Sequence, residues 1–149
     1  MALVKAARLR AAASLDGHPI KVQLAKNLDV IADRSLAETA LANVLENAGK
    51  YSPATTPIEI HATIEDGTVV IAVSDRGPGF PNPAEPLFAK FARGVDSDGR
   101  APGTGLGLAV ARGFLLAQGG SIEAASGPGG RGGTVRIRLP QAPSKQAAA

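Results

Sequence analysis

Apolar and polar residues alternate along parts of this chain with the period of a β-strand, and this alternation predicts most of a sheet. From Pro57 to Glu65 the apolar residues occupy every second position, as in a strand with one buried face. Asp66 and Gly67 follow as a predicted hairpin turn, and residues 68–74 form the return strand. Shorter apolar stretches predict four more strands, at residues 19–24, 28–32, 121–125 and 134–139.

Three segments have the composition or the spacing of a helix. Residues 2–14 are rich in alanine, which favours helix. Between residues 36 and 51 the apolar positions fill one arc of a helical wheel, and Ser35 and Glu38 are spaced as a capping box at its start. A third helix is expected at about residues 106–118.

The segment between the hairpin and the third helix, residues 76–105, is rich in glycine and proline and has no sustained period. A stretch of this length without regular structure inside a compact domain is usually functional, for example as a lid. We therefore expect an α+β fold, a two-layer sandwich with about three helices on one face of a mixed, mainly antiparallel sheet. Residues from 141 onward are expected to form a disordered tail.

The composition narrows the classes of function. The 149 residues are enough for one domain, and the absence of cysteine excludes disulfides and cysteine-ligated metals. Two histidines are too few for a convincing zinc site. The net charge of +3 is carried by dispersed basic residues, whereas a nucleic-acid interface requires a clustered patch. An anionic small molecule fits this charge better than nucleic acid, and no apolar run approaches the length of a membrane span.

Three polar residues follow one edge of the second predicted helix. Asn43, Asn47 and Lys50 are spaced i, i+4 and i+7, beside the apolar arc. Asparagine is unfavourable inside a helix by roughly half a kcal/mol relative to alanine, so a pair at this edge suggests a function. An amide oxygen suits Mg²⁺ and a lysine suits phosphate. The alternative is a polar helix edge that happens to contain asparagine.

A carboxylate and a glycine-rich turn end the hairpin. Asp75 continues the series of inward-facing apolar residues of its strand, and a carboxylate buried there requires a partner. Gly77 and Gly79 would let the backbone turn sharply and a flat ligand approach, and the exocyclic amine of adenine would satisfy the acid. The alternative is an ordinary Asp-initiated turn.

A second glycine cluster, Gly103-Thr104-Gly105-Leu106-Gly107, opens the third helix. Glycines before a helix N-terminus expose backbone N–H groups that bind phosphate. The spacing matches neither a Rossmann fingerprint nor a P-loop, because Leu108 stands where a third small residue would be needed and no Gly-Lys-Ser/Thr follows. A flexible junction between loop and helix is the alternative.

Taken in order, four segments resemble the N, G1, F and G2 boxes of histidine kinases. The resemblance covers about residues 18–140. The sequence between the boxes is similar to that of potassium- and osmosensing kinases of the Kdp type. It implies the Bergerat (GHKL) ATP-binding fold with an ATP lid, and ATP and Mg²⁺ as ligands. The four segments are Asn43 to Tyr51, Asp75 to Gly79, Leu87 to Arg93 and Gly103 to Gly107.

The resemblance also implies roles for individual residues. Asn47 would bind Mg²⁺, Asn43 and Lys50 would contact phosphate or the metal's surroundings, and Asp75 would bind adenine in a pocket shaped by its two glycines. Further expected nucleotide contacts and lid anchors are Tyr51, Phe88, Lys90, Phe91, Arg93, Gly103, Thr104, Gly105, Leu106 and Gly107.

The type of reaction depends on the residue at position 43. GHKL relatives that hydrolyse ATP or phosphorylate serine resemble one another in having a glutamate four residues before the metal-binding asparagine. This chain has Asn43 at that position. A neutral imidazole needs no general base before it attacks phosphorus, so the missing glutamate favours histidine as the acceptor. His18 and His61 do not lie in an acceptor motif and are expected to be ordinary surface residues.

We therefore expect a catalytic ATP-binding domain at residues 17–140, preceded by the remnant of a helix at 1–16 and followed by the tail at 141–149. The resemblance further implies a histidine-bearing dimerisation domain and a response regulator as partners. It also implies a monomeric isolated domain, a homodimeric parent and a cytoplasmic location. The alternatives are a degenerate module that only binds nucleotide or partners, and a GHKL ATPase.

Overall fold

The computed structural model describes residues 1–80, 88, 107–127, 129 and 131–143. Within these residues the chain forms four helices and five strands. The helices are α1 (Ala2–Arg10), α2 (Ala12–Leu15), α3 (Arg34–Tyr51) and α4 (Gly107–Leu116). The strands are β1 (Ile20–Leu24), β2 (Ile58–Glu65), β3 (Thr68–Asp75), β4 (Ser121–Ser126) and β5 (Gly133–Pro140).

The five strands form one open sheet in the order β1-β2-β3-β5-β4. Strand β1 runs parallel to β2, and the other three pairings are antiparallel. The prediction of a mixed, mainly antiparallel sheet covered by helices is thus confirmed. The crossover from β1 to β2 contains α3, as expected for a parallel pair, which needs a long connection.

The hairpin of β2 and β3 follows the predicted alternation. Ile58, Ile60 and Ala62 are buried on the face that meets the helices. Asp66 and Gly67 have φ values of +48° and +75°, the left-handed pair that a two-residue hairpin turn requires. The sheet therefore presents one apolar face to the helices and one polar face outward.

Helix α3 lies at the centre of the helical layer and contacts α4 on one side and α1 and α2 on the other. Its apolar arc is fully buried at Ala40, Leu41, Val44 and Leu45. Five apolar side chains among the first fifteen residues are buried in this same core, while Leu9 is exposed. These side chains are Leu3, Val4, Ala7, Ala11 and Leu15.

Two predicted local features are wrong. Helix α3 begins two residues earlier than the capping-box pattern implies, because the carboxylate of Asp33 accepts a hydrogen bond of 3.0 Å from the Leu36 N–H. Ser35 therefore lies inside the helix, and Glu38 pairs with Arg34 instead of closing a capping box.

The predicted strand at 28–32 is reduced to a single bridge between Val30 and Gln141. The Ala142 N–H donates to Asp29 O. Gln141 and Ala142, expected in a disordered tail, are thus held by backbone hydrogen bonds. In the part of the chain that the structure describes, no helix is long and apolar enough to cross a membrane.

Candidate functional site

The polar edge of α3 lies where the sequence predicted it. Asn43 and Asn47 are half-buried one turn apart, while Lys50 in the last turn is exposed. Tyr51 ends the helix and is half-buried. This edge runs along the boundary of the core, so both amides are partly buried and partly exposed.

The two asparagines face the N-terminus of α4. The Asn43 amide donates a hydrogen bond of 3.2 Å to the carbonyl of Gly107, the first residue of α4. A Cβ at Gly107 would lie 3.6 Å from the Asn47 Oδ1, so both amides border the same residue. Because the first N–H groups of a helix have no partner within it, this junction offers donors and partial positive charge beside an amide oxygen.

The C-terminal end of α3 is packed against the turn after β3. A Cβ at Gly77 would lie 2.9 Å from the carbonyl oxygen of Tyr51 and 3.1 Å from the Asp75 Oδ1. A side chain at Gly77 would therefore push apart the helix end and the turn. Gly79 has a φ of +83°, so glycine also meets a backbone requirement there.

Asp75 ends β3 at the edge of the core. Its Oδ1 accepts a hydrogen bond of 2.8 Å from the Gly77 N–H. Burial raises the pKa of Asp75 above its ordinary value, while backbone hydrogen bonds from Gly77 and from Gly133 on β5 lower it. A carboxylate has about four lone-pair positions, so two backbone donors leave capacity for a donor from a ligand.

No local sequence pattern predicted the residues of β4 and β5 that meet Asp75 and the turn after it. Gly133 pairs with Asp75 in the β3–β5 register, and a Cβ on Gly133 would lie 2.5 Å from the ring of Phe80. The Ser126 hydroxyl accepts a 2.7 Å hydrogen bond from the Phe80 N–H and lies 2.9 Å from Phe80 O, to which it donates. These residues are about 50 positions apart in the chain, and only the sheet register brings them together.

Phe88 is buried in the hydrophobic core. The guanidinium carbon of Arg112 on α4 lies 5.9 Å from the centre of its ring, within the range of a cation–π contact. Arg112 is a further residue that the sequence analysis missed. The other expected contacts lie outside the described residues; they are Lys90, Phe91, Arg93, Gly103, Thr104, Gly105 and Leu106.

The two histidines differ. His61 is exposed on β2, as expected, but His18 is half-buried and both of its ring nitrogens contact backbone carbonyls, so its assignment as an ordinary surface residue is wrong. Among the described residues, no group of three or more His, Cys, Asp or Glu side chains could hold a metal ion.

Comparison with known proteins gives a consistent picture. The family described as histidine kinase-, DNA gyrase B-, and HSP90-like ATPase matches residues 32–143. The chain is 42% identical to the sensor protein KdpD of Escherichia coli over 83% of this chain and 14% of KdpD. It is 37% identical to the sensor-like histidine kinase SenX3 of Mycobacterium bovis over 81% of this chain and 30% of SenX3. The chain thus spans about a seventh to a third of the length of these relatives.

Solved structures share the fold. The mycobacterial sensor histidine kinase MprB superposes with a TM-score of 0.81 at 27% identity, covering 95% of each chain. Full-length ShkA in complex with AMPPNP superposes with a TM-score of 0.73 at 30% identity, covering 94% of this chain and 29% of ShkA.

Proposed function

This chain belongs to the family of histidine kinase-, DNA gyrase B- and HSP90-like ATPases, and from that premise we propose that it is the catalytic ATP-binding domain of a sensor histidine kinase. It binds ATP·Mg²⁺ and transfers the γ-phosphate to a histidine on a separate dimerisation domain. The observation that carries the proposal is the convergence of three chain segments. The asparagine edge of α3 contacts the start of α4 at Gly107, and the end of α3 contacts the Gly77 turn beside Asp75.

The phosphate end of the site is assigned to the junction of α3 and α4. The N-terminal N–H groups of α4 favour an anion, and Lys50 adds a positive charge one turn beyond Asn47. The residues fit Mg²⁺, since the amide oxygen of Asn47 is a hard donor at an accessible edge. Mg²⁺ bound with a nucleotide takes one or two protein oxygens, phosphates and water, so no carboxylate cluster is required. When bound, the ion neutralises charge on the transferred phosphoryl group.

The adenine end is assigned to Asp75. The half-buried carboxylate accepts from the exocyclic amine of adenine, and glycine at position 77 lets the turn pack closely against the end of α3 beside that carboxylate. Guanine presents a carbonyl oxygen at the same position, which would face the carboxylate acceptor to acceptor. The site should therefore discriminate between ATP and GTP.

Histidine is the proposed acceptor because the residue four positions before Asn47 is an asparagine and not a general base. Asn43 occupies the position at which an ATPase would place its glutamate, and its amide is committed to Gly107 O. Glu46 is one residue before Asn47 and points about 100° away around the helix. These residues position the nucleotide and neutralise its charge. Catalysis of phosphoryl transfer depends mainly on these two contributions.

The decisive experiment adds a histidine-bearing helical hairpin from a parent kinase to this chain with labelled ATP and Mg²⁺. Acid-labile, base-stable label on the hairpin supports the proposal. Rapid ATP hydrolysis by the chain alone, without transfer, would support the GHKL ATPase instead. Saturable ATP binding with neither reaction would support the degenerate nucleotide-binding module.

The parent protein's properties are further proposals that follow from the relatives. A domain of this type acts with its own dimerisation domain, which carries the histidine, and with a downstream response regulator. The likeness to KdpD supports a role in potassium or osmotic signalling, with the domain on the cytoplasmic side of the membrane. We further propose that the catalytic domain spans residues 17–140, is monomeric when isolated, and belongs to a homodimeric parent.

A further inference from the structure

The His18 imidazole connects three segments that are distant in the sequence. The ring follows α2, where Gly17 with a φ of +85° turns the chain toward β1. Its Nδ1 lies 2.8 Å from Thr56 O and its Nε2 lies 3.1 Å from Gly49 O. Both partners are carbonyl oxygens, so each nitrogen must carry a hydrogen for both bonds to form at once.

The bond to Gly49 replaces one that the helix cannot make. In a continued helix the carbonyl of Gly49 would accept from the N–H four residues later, but that residue is Pro53, which has no N–H. The preceding carbonyl, of Ala48, keeps its usual type of partner, because the Ser52 N–H donates to it. With a hydrogen on Nε2, the His18 ring therefore caps the carbonyl that Pro53 leaves without a helical donor.

Gly49 also allows the segment around His18 to approach. A Cβ at Gly49 would overlap the carbonyl oxygen of Ser14 on α2, so only glycine permits α2 to lie against this turn of α3. The bond from His18 to Thr56 O closes the connection between α3 and β2 from its other end. The last turn of α3 is thus held from outside by one side chain.

We propose that His18 is a positioning residue for the nucleotide site: by capping Gly49 it fixes the last turn of α3. That turn lies between Asn47 and Tyr51 and includes Lys50. His18 touches no nucleotide itself; it acts through the placement of these neighbours. The inference rests on the proposed function, since the property that it protects is affinity for ATP·Mg²⁺.

The two carbonyl partners can be separated by substitution. Glutamine places its amide near the position of Nε2, within reach of Gly49 O, whereas asparagine places its amide near Nδ1, within reach of Thr56 O. Affinity for ATP·Mg²⁺ is measured by calorimetry on this chain and on His18→Ala, His18→Gln and His18→Asn, well below each melting temperature. His61→Ala is the matched control, because that histidine is exposed on β2.

We expect His18→Ala to weaken binding about three- to tenfold, as for the loss of one hydrogen bond, and His61→Ala to leave it unchanged. His18→Gln should recover more of the affinity than His18→Asn. A merely structural histidine would lower the melting temperature without changing the affinity of the folded protein. Unchanged affinity in His18→Ala, or equal affinity in the glutamine and asparagine variants, would overturn the proposal.

A second measurement needs no nucleotide and separates this inference from the proposed function. If the unsubstituted chain itself shows no saturable ATP binding, the proposed function fails. Hydrogen exchange at the Ser52 amide, which donates to Ala48 O, then tests His18 alone. Faster exchange there in His18→Ala than in His61→Ala supports the fixing of the last turn, and equal exchange refutes it.

Discussion

Substitution of Asp75 by asparagine should separate the stability of the protein from its affinity for nucleotide. The amide keeps the size of the carboxylate, and its oxygen can still accept from the Gly77 N–H. Its nitrogen, however, would meet the exocyclic amine of adenine donor to donor. Leaving that amine without an acceptor costs about 1–3 kcal/mol, which is roughly a 5- to 150-fold loss of affinity for ATP.

The unliganded protein should respond in the opposite direction. Because burial raises the pKa of Asp75 above its ordinary value of 3.8, the folded state holds the proton more tightly than the unfolded chain does. The stability associated with this group is full below the unfolded pKa and is lost as pH rises through the raised folded pKa. The side chain in Asp75→Asn is neutral at every pH. The variant should therefore gain stability relative to the unsubstituted chain as the pH rises through the folded-state pKa of Asp75.

Two assays check this reasoning. Calorimetry with ATP and GTP should show that the unsubstituted chain prefers ATP and that Asp75→Asn loses most of this preference. Thermal unfolding without nucleotide, followed from below the ordinary Asp pKa to neutral pH, should show the difference in melting temperature growing in favour of the variant. Equal affinity of the unsubstituted chain for ATP and GTP would refute the assignment of Asp75 to adenine. If the difference in melting temperature between the variant and the unsubstituted chain did not change with pH, the electrostatic argument would be refuted.

Three further substitutions test the rest of the site. Asn47→Ala should abolish Mg²⁺-dependent ATP binding while the circular dichroism spectrum is kept, since the side chain lies at the edge of the core. Asn43→Glu should weaken ATP binding by charge repulsion and, by facing a carboxylate toward Gly107 O, lower the free energy of unfolding by about 1–3 kcal/mol in denaturant titrations. Gly77→Ala should lower the free energy of unfolding by about 1–3 kcal/mol, because the alanine Cβ would press on the Tyr51 carbonyl. An unchanged unfolding midpoint would contradict that contact.

Sequence periodicity predicted the parts of this fold whose causes are local. The alternation in β2 and β3 and the apolar arc of α3 each bury one face, so their pattern is visible in a short window. The start of α3 was misplaced because Asp33 and Ser35 are both good capping residues, and only the hydrogen bond to Leu36 identifies the one that caps.

The features that escaped the sequence analysis depend on distant partners. Gly133 reaches Asp75 through the sheet register, and residues 28–32 have the composition of a strand but find only one partner, at Gln141. His18 had one local signal that could have been used. Pro53 lies four residues after Gly49 and so predicts a helix carbonyl that needs an outside donor, although it does not name the donor.

The strand order has a consequence for the moment at which this protein becomes functional during synthesis. Strand β5, which follows the other four described strands in the sequence, is inserted between β3 and β4, which are made earlier. Until residues 133–140 emerge, β4 has no neighbour in the sheet and β3 has an unpaired edge. Gly133 also supplies a backbone donor to Asp75. A nascent chain that stops before this strand would therefore lack a continuous sheet and one of the backbone donors to Asp75, and it would depend on residues 133–140 for both.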